Sequence, residues 1–202
     1  MTCHNKKTSI LSSRYFNLAS ESLWTFVGNA GASIAGLMGL KLLTHVLDSA
    51  EYGQLALAGT IVGFVAANLY APLGQGLMRF FSIAKDYDTL EEFSVISINY
   101  QKFFTYFIIS LTVLIAILGL VIETGWTALL ITSIFVGIST GLFDIRISVF
   151  TAARERKIVA LLNTVNAFFR PIIGALLVTI IGASVNWAMA GYFIVSLLML
   201  LI

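Results

Sequence analysis

Six apolar stretches recur along this chain, each long enough to cross about 30 Å of hydrocarbon as a helix, and no other feature constrains the fold as strongly. They run from Ser22 to Leu47, Gly53 to Leu77, Phe103 to Ile122, Thr127 to Phe150, Val159 to Ile181 and Val185 to Ile202. Inside a bilayer every backbone N–H and C=O must find a partner within the protein, which leaves helices or a closed barrel. No alternating strand pattern or Asn-Gly hairpin separates the runs, so helices follow. Composition agrees: 58% of the 202 residues are hydrophobic and 11% charged, against roughly a quarter charged in a soluble domain. The expected fold is all-α, a polytopic membrane bundle of six transmembrane helices over residues 22–202. Residues 1–21 form a retained cytoplasmic or interfacial segment, since Lys6 and Lys7 precede only a broken apolar run with no small-residue cleavage site. Cys3 is the single cysteine, so no intrachain disulfide can form.

The loops orient the chain. Lys6, Lys7 and Arg14 precede the first span, Arg79, Lys85 and Lys102 join the second to the third, and Arg154, Arg156 and Lys157 join the fourth to the fifth. Asp48, Glu51 and Glu123 occupy the alternate side, and the last loop, GASVN, is uncharged. By the positive-inside rule the N-terminus is cytoplasmic. Trp126 and Trp187 then lie at the outer interface and Trp24 at the inner one. Because the cations sit in loops between spans, no nucleic-acid footprint is present.

Helical periodicity marks the faces that avoid lipid. In the fifth span Asn163, Asn166, Arg170 and Gly174 recur at i, i+3, i+7 and i+11 on one narrow arc, opposite Leu161, Phe168 and Ile172. The fourth span places Ser133, Gly137, Thr140, Gly141, Asp144 and Ser148 on one face, and the first does the same with Thr25, Asn29, Ala32, Ser33 and Gly36. For the glycines and serines, close helix packing is a sufficient reading. Arg170 demands more. Its backbone falls about 16 Å into the span, and a central arginine costs about 2.5–3.5 kcal/mol on insertion scales, so it requires water, an anion or a carboxylate. Asp144 is the available carboxylate, expected near the inner interface and more than two helical turns away. Arg170 therefore has two readings: a structural pairing, or a cavity-lining group that faces an anion with Asn166, Asn163, Asp144 and Asn29 around it. Pro171 beside it removes a backbone donor and marks a hinge.

Two more cations are open to either reading. Lys41 lies off the first stripe near the outer end, where it could snorkel or face the cavity. Arg79 is either an interfacial anchor or an entrance group beside Asn68 and Gln75. Pro72-Leu73-Gly74-Gln75-Gly76 is expected to kink or interrupt the second span, with Pro72 as a second hinge. Asp86, Asp88, Glu91 and Glu92 read as a solvated loop.

Gly137-Ile138-Ser139-Thr140-Gly141 matches the G-x-S-x-G nucleophile pattern, but that motif needs a strand, a sharp turn and a histidine in reach. Here it lies mid-span as a GxxxG, and the histidines, His4 and His45, are at or beyond the rim. No metal-ligand or phosphate-loop spacing occurs, so no cofactor, metal or enzymatic activity is expected.

The stretch EYGQLALAGTIVGF, Glu51 to Phe64, followed by PLGQGLMRF, Pro72 to Phe80, resembles the second helix of the polysaccharide (O-antigen type) flippases of the multidrug/oligosaccharidyl-lipid/polysaccharide exporter superfamily. The preceding GASIAGLMGLKLLTHVLDSAEYG is similar to their first helix and outer loop, and the layout agrees along the chain. The resemblance implies a bacterial inner-membrane protein that flips undecaprenyl-diphosphate-linked sugars, through a cavity between two six-helix lobes, with cationic residues facing the anionic headgroup. Arg170, Lys41 and Arg79 are the residues here that fit that part, and the expected partners are the bilayer, an anionic lipid-linked glycan, and a second lobe or a second copy. The departure is length: the family carries twelve or more helices, and this chain resembles the first lobe alone. A cation-coupled multidrug exporter would want an acidic cavity, for which Asp144 is the sole candidate. A nontransporting scaffold would need no midplane charge.

Overall fold

A computed structural model describes residues 3–122, 126–182 and 184–201, with side chains described for 19–119, 126–182 and 184–201. Glu123, and the side chains of Cys3, His4, Lys6, Lys7 and Arg14, lie outside the described residues.

Every regular element is helical: α1 (Cys3–Val46), α2 (Ser49–Val65), a π-helical turn (Ala66–Tyr70), α3 (Ala71–Asp86), α4 (Leu90–Ile122), α5 (Thr127–Ala152), α6 (Arg156–Ile181) and α7 (Val185–Leu201). Five are long and apolar enough to cross a membrane, counting α2 through α3 as one helix; α7, at 17 residues, is a shorter apolar helix. Asp48 caps α2, its carboxylate accepting from the Glu51 N–H at 2.7 Å. Gly182, at φ 145°, ends α6 in a conformation that a side chain would oppose.

From Cys3 the N-terminal segment is helical and continuous with the first span, with no glycine before Gly28 and no proline to stop α1. Two expectations about helix ends need correction. Pro72 does not interrupt its helix. A proline opposes the carbonyl four residues earlier, here Asn68, and the π turn that contains Asn68 widens the ladder at that point, so Ser49–Asp86 continues for 38 residues. Nor do Asp86, Asp88, Glu91 and Glu92 form an open loop. Asp86 ends α3, Asp88 turns the chain at φ 57°, and Glu91 and Glu92 occupy the first turn of α4, where the helix dipole favours acids. The result is a long α3–α4 hairpin.

Contacts between close-fitting residues give the layout. On α5, Gly137 meets Val65, Gly141 meets the ring of wholly buried Tyr70, and Gly74 of α3 meets Ser148, so α5 lies parallel to the second helix. The Tyr70 hydroxyl shares a 3.0 Å hydrogen bond with Thr105, tying in α4. On the other side Gly28, Gly31 and Gly39 of α1 meet Ala160, Thr164 and Pro171 of α6. Backbone approaches backbone where Gly191 of α7 meets Gly174 of α6, and α7 wedges between α5 and α6. Thus α1 docks on α6 while α2 docks on α5, and these two chain neighbours stand apart at the rim of a cleft.

The first stripe requires a further correction. Thr25, Asn29, Ser33 and Gly36 remain exposed, and α1 buries Gly28, Ala35 and Gly39 instead. A smooth face next to Pro171 and Ala160 permits closer approach than one bearing Asn29, so small size decided the contact.

Candidate functional site

Arg170 is half-buried on α6 at the junction of three helices. Its Nη2 donates to Thr140 Oγ1 of α5 at 2.5 Å and to Ser196 Oγ of α7 at 2.6 Å. Those hydroxyls have their own protons engaged: Thr140 donates to the Val136 carbonyl at 2.7 Å and Ser196 to the Tyr192 carbonyl at 2.9 Å. Each therefore turns a lone pair toward the guanidinium. Both bonds fall on one nitrogen, while Arg170 Nε is buried without a hydrogen-bond partner, as is Asn166 Oδ1 one turn away. The cation is held in place yet keeps donor capacity.

A cavity of about 350 Å³ opens beside it in the cleft between α1 and α2. Gly36 and Gly39 of α1, Tyr52 and Gly59 of α2, and Pro171 and Tyr192 form its walls with Arg170. The glycines make room: a Cβ at Gly36 or Gly59 would meet nothing within 4 Å. Among the described residues no histidine, cysteine or carboxylate lines it, so the chemistry its wall offers is recognition of an anion by a cation and two phenols in an apolar setting. Among the described residues no cluster of His, Cys, Asp or Glu could hold a metal ion.

The other sequence candidates are placed unequally. Asn166 and Asn163 are half-buried on the Arg170 face of α6. Asp144 is exposed and forms no ion pair with Arg170, although the two charges interact through space. The expected separation of more than two turns is too large: Thr140, which touches the guanidinium, is only one turn from Asp144, because the long side chain of Arg170 reaches along α5. Asn29 is exposed on α1 and outside the cavity wall. Lys41 is exposed and belongs to a separate hollow with Met38 and His45, a different face of α1 from the one carrying Gly39. Arg79 is exposed on α3 with its guanidinium over the Phe80 ring at 5.8 Å, outside the wall of the Arg170 cavity. Pro171 is buried against Gly39 within a continuous α6, so its visible role is that of a packing knob. Pro72 begins α3 just past the π turn. Ser139 is buried and donates to the Phe135 carbonyl at 3.0 Å.

Sequence reasoning missed Tyr52, Tyr192 and Ser196. A lone serine in the apolar α7, one turn from a tyrosine, was the only available signal. It also missed Arg146, whose Nη1 donates to the Leu200 carbonyl at 2.6 Å and joins α5 to α7.

Fold and site together define an all-helical, multi-pass membrane bundle with a cation at the edge of an internal cleft. No protein-family model, curated protein or solved structure matches the chain.

Proposed function

We propose that the chain is one six-helix wall of a transporter, with α7 as its sixth span, that moves an anionic lipid-linked substrate across the membrane: a lipid-diphosphate-linked oligosaccharide, flipped in a bacterial inner membrane with the N-terminus cytoplasmic. One observation carries the reading. Arg170 lines a cavity of about 350 Å³, held by two hydroxyls, with no carboxylate in ion-pair contact among the described residues and a buried Nε–H unspent. An ionisable side chain inside a membrane that lines a cavity marks a substrate path. The resemblance of Glu51–Phe64 and Pro72–Phe80 to the flippase second helix supplies the substrate class, and the absence of any carboxylate from the cavity wall disfavours a cation exporter.

The second wall is a second lobe or another copy. Open faces support it: Gly36, Gly53, Gly59 and Gly63 on α1 and α2 have space where a Cβ would be. Small residues of this kind let an incoming helix approach closely. Alternating access between two such bodies needs the cleft at their interface.

Binding tests the site without requiring the second wall. Purified chain in detergent should bind farnesyl diphosphate, and Arg170→Ala should weaken it by about tenfold or more, with Arg170→Lys between the two. Equal affinity for parent and Arg170→Ala would sink the proposal.

A further inference from the structure

The α3–α4 hairpin is longer than a membrane requires. At about 1.5 Å per residue, Pro72 lies roughly 35 Å and Phe80 roughly 46 Å from the start of α2 at Ser49. Counting back from Ile122, Gln101 lies roughly 32 Å and Phe93 roughly 44 Å along α4. With Ser49 and Ile122 taken at the outer edge of the hydrocarbon, residues 72–80 and 93–101 lie beyond its about 30 Å on both helices, so the second span ends near Pro72 and not at Leu77. Water-facing helices at that depth should be polar. Instead a groove of about 300 Å³ runs between them, walled by Leu73, Leu77, Phe80, Phe93, Ile96 and Tyr100 and floored by Gly76.

Charge is graded along this groove. Arg79 stands at its far end, its guanidinium stacked over the Phe80 ring that forms the wall. Lys102 follows Gln101 at the hydrocarbon end, while Asp86, Asp88, Glu91 and Glu92 cluster at the hairpin tip. A bulk acyl chain does not reach this depth unless its headgroup is lifted. We infer that the groove holds one chain of an anionic phospholipid raised from the leaflet, its phosphate on Arg79 and its chain shielded from water along Gly76 until it rejoins the hydrocarbon. Arginine suits a phosphate because its planar fork can donate two parallel bonds. The acidic tip limits how far the headgroup can climb. This groove is separate from the Arg170 cavity, and the inference does not depend on what that cavity binds.

Native mass spectrometry of the full chain, purified, delipidated and mixed with equal amounts of phosphatidylglycerol and phosphatidylcholine, tests it. The parent should retain phosphatidylglycerol at least about fivefold over phosphatidylcholine, an ordinary margin for a charge-assisted contact. Gly76→Leu should abolish retention of both, and it is expected to fold because a Cβ there meets nothing within 4 Å. Arg79→Gln should lose the preference yet keep binding, and Arg79→Lys should keep most of it. Gly63→Leu, at an equally open glycine outside the groove, should behave as the parent. Unchanged retention in Gly76→Leu, equal retention of the two lipids by the parent, or a loss in Gly63→Leu as large as in Gly76→Leu would each overturn the assignment.

Discussion

Helices α1 and α5 carry similar stripes of small and polar residues, and the fold treats them in opposite ways. On α5 the stripe is filled. Gly137 and Gly141 receive Val65 and Tyr70, and Thr140 turns to Arg170. On α1 the polar stripe of Asn29, Ser33 and Gly36 faces outward, and a second series, Gly28, Gly31, Ala35 and Gly39, makes the contact with α6. Packing follows smoothness, because the close contacts seat a partner directly on a glycine, from bulky Tyr70, Pro171 and Val65 to small Ala160, Ser148 and Thr164. Polarity alone marks a face that avoids lipid without saying whether this chain covers it.

The sharpest way to break that comparison is to add bulk to each stripe. Gly141→Leu would drive side-chain carbon into the Tyr70 ring, which a bare Cβ would already meet, and Tyr70 is wholly buried. Overpacking of this kind costs about 1–3 kcal/mol or more, so thermal unfolding in detergent should shift down clearly. Gly36→Leu, with nothing within 4 Å, should leave the melting temperature unchanged. Comparable losses in both would mean that α1 packs on its polar side after all.

Arg170 sharpens the contrast from inside the filled region. Because Thr140 and Ser196 already donate to their own helix carbonyls, removing the guanidinium strands neither hydroxyl proton. A guanidinium held out of water without an ion-pair partner carries a desolvation cost that an apolar chain of similar length does not. Arg170→Met should therefore melt at or above the parent temperature while losing anion binding. A drop of several kcal/mol would make Arg170 a structural clamp.

The exposed stripe of α1 gives a smaller effect. With Cys3 replaced, Ser33→Cys should form an intermolecular disulfide in oxidised membranes if a second copy covers this face, whereas Ala35→Cys, buried against α6, should not. Cross-linking at position 35 and not at 33 would exclude that homodimer.

How much was legible in the sequence follows from the same physics. The α6 face could be read because Arg170 and the asparagines share one arc, and no lipid face tolerates that set. On α1 two regular series coexist, at 25, 29, 32, 36 and at 28, 31, 35, 39, and nothing local ranks them; the Pro171 knob on α6 does. Pro72 looked like a breaker because the sequence cannot show that a π turn will absorb it. Acids at 86–92 suggested a loop, although two of them sit where a helix N-terminus wants charge. Ser196 and Tyr192 join the site only because α7 wedges between α5 and α6, a tertiary fact.

The smallest expected effect lies at Ser139, in the filled region and inside the G-x-S-x-G match. Its hydroxyl donates back to Phe135 within the same helix, and among the described residues no histidine or carboxylate is bonded to it. Such a bond adds little, since the carbonyl it serves already takes part in the helix ladder. Alanine keeps the small size that the contact needs and removes one hydroxyl whose hydrogen bond stays within α5. Ser139→Ala should thus shift unfolding by no more than about 0.5 kcal/mol, and farnesyl diphosphate affinity should be unchanged. If a fluorophosphonate probe labelled the parent at Ser139 and failed to label the variant, the residue would be an activated nucleophile, and the view of α5 as a packing face with one polar contact would have to be abandoned.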